Sequence, residues 1–208
     1  MSSFVPDSHI VCEHCYKFFV AYKVMQMQID ADKRDEITSN AYKGTVNRIT
    51  CPFCKSEFDY ESPVYIYSHK NKFVITSHYP DTLVDVAKFP VAASIAGMGE
   101  WKFRKCEYFM DACEKMRIFK NGLDDAKILL LKLEFFEDYK NMDLDSEYIT
   151  FDHLTDGKLS FTHRNFDGKI KKEYRIDISE YNKLTDIPVK TGDWVTLDRK
   201  WAINKTEA

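Results

Sequence analysis

Glycine and proline are scarce in this chain, with seven Gly and six Pro in 208 residues. That scarcity argues against long linkers and low-complexity tracts. No apolar run approaches the roughly 18 residues of a membrane-crossing helix, so no membrane association is expected. The opening Met1-Ser-Ser-Phe-Val-Pro-Asp lacks the basic and apolar segments of a secretory leader, and a cytoplasmic location is expected. There is no excess of positive charge either. Thirty Lys+Arg stand against thirty-three Asp+Glu, a net charge of −3, which disfavours a strongly basic nucleic-acid binder. Phosphate-cradling and hydrolase signatures (P-loop, G-x-G-x-x-G, G-x-S-x-G, H-E-x-x-H) are missing, so no enzyme is expected. What is present is bulk: 44% hydrophobic residues, with fifteen Phe, twelve Tyr and three Trp. This suffices for the core of one medium domain or two small ones.

Six cysteines are Cys12, Cys15, Cys51, Cys54, Cys106 and Cys113. The first four form two C-x2-C pairs separated by 35 residues. With no secretory leader expected, this spacing reads as a metal site before it reads as disulfides. Each C-x2-C forms a tight knuckle that aims two thiolates at one point. Two knuckles complete a tetrahedral shell with zinc–sulfur distances of about 2.3 Å. Zinc is the expected ion, and iron held by the same four thiolates is the chemical alternative. Two unrelated reduced pairs, or a redox C-x2-C, are the plainer readings. Cys106 and Cys113, seven apart beside Phe109 and Met116, read as small core hydrophobes.

Along the chain, residues 16–29 alternate with period two and shift phase between Val24 and Met25, which predicts a long strand with a bulge or bend. Residues 30–44 read as a short helix or loop, and 46–50 as a strand into the second knuckle. Residues 57–60 and a hairpin of 64–67 with 73–76 complete a mainly antiparallel sheet. Residues 81–100 read as irregular and 101–106 as a strand. Residues 107–120 predict an amphipathic helix stopped at Asn121-Gly122. Asp124 or Asp125 caps a second helix running to about Tyr139. Short strands follow at 148–151, 159–164 and 174–178, with turns at Asp156-Gly157 and Asp167-Gly168, then a short helix at 178–184 and a strand at 194–197. The expected fold is therefore α+β: a zinc-ribbon-like antiparallel sheet over 1–80, two central helices in 81–145, and a small β-rich region over 146–208. The second helix is apolar around most of its girth, so it needs two packing surfaces. Leu129, Leu130, Leu133 and Phe136 are the candidate interaction surface, for a protein partner or a second copy of the chain.

Four segments together carry a resemblance. They are Cys12-Glu-His-Cys15, then Ile49-Thr-Cys-Pro-Phe-Cys-Lys-Ser-Glu-Phe58, then Tyr65-Ile-Tyr with Lys72-Phe-Val-Ile, then Glu114-Lys-Met-Arg-Ile-Phe-Lys-Asn-Gly-Leu-Asp-Asp125. The chain resembles the bacterial CpXC domain, named for paired C-P-x-C motifs, over roughly residues 9–140. The resemblance implies a metal-binding domain of undefined role and brings no catalytic residues. Glu13 stands where the first knuckle would carry proline. Tyr16 and Lys55 stand where glycine is common, at positions that often require a positive φ.

Other candidates carry less. His14, inside a knuckle, reads as a solvent-facing spacer, although it could exchange with a cysteine ligand. Asp152-His153 with His163 is the only hint of a hydrolase centre, and nothing nearby fixes its geometry. Lys169, Lys171, Lys172 and Arg175 form a basic cluster, but residues 147–208 balance at eleven positive and eleven negative side chains. The leading expectation is a structural-zinc protein-interaction module. The alternative is a nucleic-acid-binding ribbon that uses Lys17, Lys23, Arg48 and Lys55 beside Tyr16, Phe18, Tyr22 and Phe53. Residues 1–60 count seven basic against eight acidic side chains, which weighs against it.

Overall fold

The computed structural model describes residues 3–30, 46–60, 63–77, 99–137, 139–143, 147–165 and 169–207. Most of the expected helix or loop at 30–44, most of the irregular stretch 81–100, and the Asp167-Gly168 turn lie outside the described residues.

The chain is α+β. Strand β1 (Ser3–Val11) pairs antiparallel with β2 (Phe18–Gln28). The phase shift read in the sequence is a bulge: Phe4 pairs with Val24 but Ser3 with Gln26, leaving Met25 as the extra residue. A second hairpin joins β3 (Arg48–Thr50) to β4 (Glu57–Asp59). Strands β5 (Val64–Ser68) and β6 (Phe73–Ser77) form the expected antiparallel hairpin and are buried along their whole length. With β7 (Lys102–Cys106) and β11 (Trp194–Thr196) they complete a six-stranded sheet in the order β1-β2-β5-β6-β7-β11.

That sheet differs from the mainly antiparallel one expected. The β2–β5, β6–β7 and β7–β11 junctions are parallel. Each of these pairs is separated by a long stretch of chain, and parallel neighbours need such a crossover. Crossovers leave no local signal, whereas hairpins do.

Helix α1 (Phe109–Lys120) lies against the sheet. It ends as Asn121-Gly122 predicts: Gly122 adopts φ +70°, its amide bonds the Phe119 carbonyl at 3.0 Å, and the Leu123 amide bonds that of Ile118 at 3.1 Å. These two bonds satisfy carbonyls that the helix end would otherwise orphan. Helix α2 (Asp125–Phe135) is capped by Asp124, whose carboxylate accepts from the amides of Ala126 and Lys127. It stops short of Tyr139. Phe136 leaves helical geometry and packs its ring 5.2 Å from Phe161 and 4.5 Å from Tyr174, which a continued helix would not reach.

A three-stranded sheet of β8 (Glu147–Thr155), β9 (Lys158–Asn165) and β10 (Ile170–Asp177) follows, turning at Asp156-Gly157, both with positive φ. This is the mirror-image turn that suits a hairpin's twist. Helices α3 (Ile178–Lys183) and α4 (Arg199–Thr206) finish the chain. The main core joins Val24, Met27, Ile66, Phe73, Ile75, Met116, Ile128, Leu131, Phe151, Phe161 and Ile176 in one cluster. The divisions expected at 80 and 145 cut through it.

Candidate metal centre

The loops of the first two hairpins are the two cysteine knuckles. β1 ends at Val11 and β2 begins at Phe18, with Cys12–Cys15 between; β3 ends at Thr50 and β4 begins at Glu57, with Cys51–Cys54 between. Their backbones repeat each other. The Tyr16 amide bonds the Cys12 carbonyl at 2.8 Å, and the Lys55 amide bonds that of Cys51 at 3.0 Å. The Cys12 and Cys51 amides bond the carbonyls of Lys17 and Ser56. Tyr16 sits at φ 57° and Lys55 at φ 64°, the left-handed geometry that the missing glycines would have supplied. A non-glycine residue there costs about 1–2 kcal/mol, partly offset by the chain entropy that glycine loses on folding. Lys55→Gly, in metal-loaded protein, is therefore expected to raise stability by up to about 1 kcal/mol in denaturant melts.

The hairpins pack through Ile10, Phe19, Ile49 and Phe58, with the Phe19 and Phe58 rings edge to face at 6.4 Å. This brings all four sulfurs within 4.8 Å of one another. Cys12 Sγ lies 3.5 Å from Cys54 Sγ, and Cys15 Sγ lies 3.7 Å from Cys51 Sγ. A tetrahedron of sulfurs about 2.3 Å from a central ion has edges of about 3.8 Å, so the donor set fits a tetrahedral thiophilic ion. The Ser56 hydroxyl sits 3.0 Å from Cys54 Sγ and 3.5 Å from Cys12 Sγ, and the amides of His14 and Cys15 both point at Cys12 Sγ from 3.4 Å.

These donors shape the thiols unequally. Burial pushes Cys12 up, but the Ser56 hydroxyl and the amides of Cys15 and His14 outweigh it and hold it at about 5. At Cys15 the Lys17 amide favours the thiolate, yet burial and the sulfurs of Cys12, Cys54 and Cys51 drive it to about 12. Four thiolates this close repel one another, and a cation at their centre removes the conflict.

The other expected residues fall elsewhere. Cys106 and Cys113 are buried, and burial raises both thiols, Cys113 to about 12. His14 is exposed. His153 is exposed, while His163 pairs with Glu147 at 2.8 Å and Asp152 accepts from Thr162. Among the described residues, the four cysteines are the only group able to hold a metal ion. Lys171 pairs with Glu147, and Lys172 lies over the Tyr174 ring at 4.6 Å.

The surface expected on α2 is not an open one. Leu129 is buried against Leu197 and Ala202, with Leu130, Leu133, Val195 and Trp201 packed around them, and Phe136 is buried in the main core. The two packing surfaces that the apolar helix requires are met within the chain, by the core on one side and its own C-terminal segment on the other.

Sequence reasoning gave no role to Glu114 or Lys115, and offered Asp125 only as an alternative helix cap. Asp125 accepts two bonds from Arg104, at 2.8 and 3.1 Å, and one from Lys115 at 3.0 Å. Glu114 accepts from Lys132 at 2.7 Å and from the Phe151 amide at 2.6 Å. All five charged side chains are buried. Composition and periodicity place charges outside, so neither pointed to their burial.

Two hairpins that present paired cysteines from their turns to one point define a ribbon protein with a four-cysteine cluster able to hold a metal ion. The chain belongs to the CpXC family: the family model described as CpXC protein matches residues 10–132. Searches of curated proteins and of solved structures gave no match.

Proposed function

We propose that the chain is a cytoplasmic, non-enzymatic protein-interaction module whose cysteine cluster holds a structural zinc ion. The observation that carries this reading is that four protein thiols lie within 4.8 Å of one another, enough donors for a complete tetrahedral shell. Zinc bound by all four would keep no position for water or substrate, the mark of a structural rather than a catalytic site. Its bound charge would neutralise the clustered thiolates and tie the β1–β2 hairpin to β3–β4. Elemental analysis of carefully reduced protein is expected to give one zinc per chain, together with no turnover of nucleotides or esters. Folded protein with no metal would overturn the reading; iron would keep the geometry and replace the ion.

The second reading, a nucleic-acid-binding ribbon, draws support from the exposed rings of Tyr16, Phe18, Tyr22 and Phe53, with Lys17 Nζ 4.9 Å over the Phe53 ring. Against it, Arg48 is engaged in a two-pronged pair with Asp59, and Glu13 and Glu57 are exposed beside the knuckles. Oligonucleotide binding that falls at least tenfold between about 50 and about 200 mM salt would favour this second reading.

A further inference from the structure

We infer that the outer face of the β1–β2 ribbon is a self-association surface and that its partner is a second copy of this chain. The inference rests on the reading of the chain as an interaction module and names what that module binds. Only Gln26–Gln28 of β2 pair with β5; the stretch from Phe18 to Val24 pairs with β1 ahead of the start of that strand. On this stretch, Phe18, Val20 and Tyr22 are 70%, 63% and 70% exposed. Val11, opposite Phe18 in the register and therefore on the same face, is 38% exposed. The alternate residues Phe19 and Ala21 turn inward to pack with Ile49 and Phe58. From Phe18 to Tyr22 both faces of the strand are thus apolar, and the outer one is exposed. Single exposed hydrophobics are ordinary, but an unbroken row on one ribbon face is a patch that calls for a cover.

Area, symmetry and charge point to a second copy as that cover. The four side chains leave on the order of 500 Å² open, so two copies meeting face to face would remove about 1,000 Å², the lower bound for a specific interface. The row is evenly spaced about Val20, with roughly 6.6–6.8 Å per two residues. A two-fold axis through Val20 sets Phe18 of each copy against Tyr22 of the other, a self-complementary contact closed by two aromatic pairs. Val11, Phe18, Val20 and Tyr22 carry no charge, and the Arg48 guanidinium is already paired with Asp59, so the row itself favours an apolar partner over a polyanion.

Sedimentation equilibrium of the reduced, metal-loaded full chain, from about 1 to about 500 µM, is expected to show a monomer–dimer equilibrium with Kd on the order of 1–100 µM. Val20→Glu should weaken association at least tenfold with unchanged metal content. Val20→Thr, which keeps the strand former's shape, should weaken it less and melt like the wild type. Wild-type protein that stays monomeric at about 500 µM overturns the inference. So does a dimer that both variants leave intact. A monomer that instead binds a single-stranded oligonucleotide in a salt-dependent way also overturns it and assigns the face to nucleic acid. Metal is measured in the same samples: a zinc-loaded monomer refutes the dimer alone, and folded metal-free protein refutes the zinc reading independently of association.

Discussion

Cys51→Ala is expected to drop bound metal well below one equivalent per chain and to melt the knuckle ribbon ahead of the rest of the protein. The reason is how little else holds the ribbon. β3 and β4 are three residues each, and the cluster between the hairpins consists of Ile10, Cys12, Phe19, Ile49, Cys51 and Phe58, two of them candidate ligands. Structural zinc in finger peptides is worth on the order of 10–16 kcal/mol in apparent binding at pH 7, as much as the whole stability of an ordinary domain. Losing one of four thiolates forfeits a large share of that. The main core around Phe73, Met116, Leu131 and Phe161 does not include the knuckles, so melting should become biphasic, with the early phase assigned to residues 10–22 and 48–59 by hydrogen exchange. A strong chelator should reproduce it. Cys113→Ala, buried on α1 away from the knuckles, should keep one equivalent of metal and cost about 1–3 kcal/mol. A Cys51→Ala protein with full metal content and one unchanged transition would refute the site.

The knuckles were legible because their chemistry is local: three-residue steps in sequence become adjacent sulfurs, and the positive φ at Tyr16 and Lys55 follows from the same turn. Hairpins, caps and the Met25 bulge were legible for the same reason. The parallel junctions were not, because β2 and β5, or β7 and β11, meet through long stretches of chain that carry no pairing signal. Helix α2 was readable as a helix with two packing surfaces. Which surfaces covered it was not, since Leu197 and Ala202, which bury Leu129, lie some seventy residues away. The alternation reads Tyr16, Phe18, Val20, Tyr22 and Val24 as the strand's apolar face, but only Val24 of these is buried, because alternation alone does not say which side faces the core. Only the packing of Phe19 on Phe58 turns that row outward.

Asp125→Ala is expected to destabilise the protein by about 3–5 kcal/mol, enough to unfold a chain of ordinary stability. Asp125 is fully buried, and both of its cationic partners, Arg104 and Lys115, are buried with it. Removing the carboxylate leaves two cations in a dry interior with no counterion, between β7, α1 and the start of α2. Replacing the whole group should be milder. The triple variant Arg104→Met, Lys115→Met, Asp125→Leu removes the charges together, and apolar replacement of a buried ion cluster is often neutral or better. Acid should act through the same residue. Burial favours the neutral form of Asp125, but Lys115 and Arg104 outweigh it and hold the carboxyl at about 2, below its ordinary 3.8. A depressed pKa in the fold contributes stability above the unfolded value and loses it as pH falls toward the folded one. Stability should therefore drop between about pH 4 and pH 2, and an Asp125→Asn variant, already weaker, should lose this residue's share of the drop. Chemical denaturation at a series of pH values measures both effects. An Asp125→Ala protein as stable as the wild type, or a single variant milder than the triple, would refute this account of the buried charges.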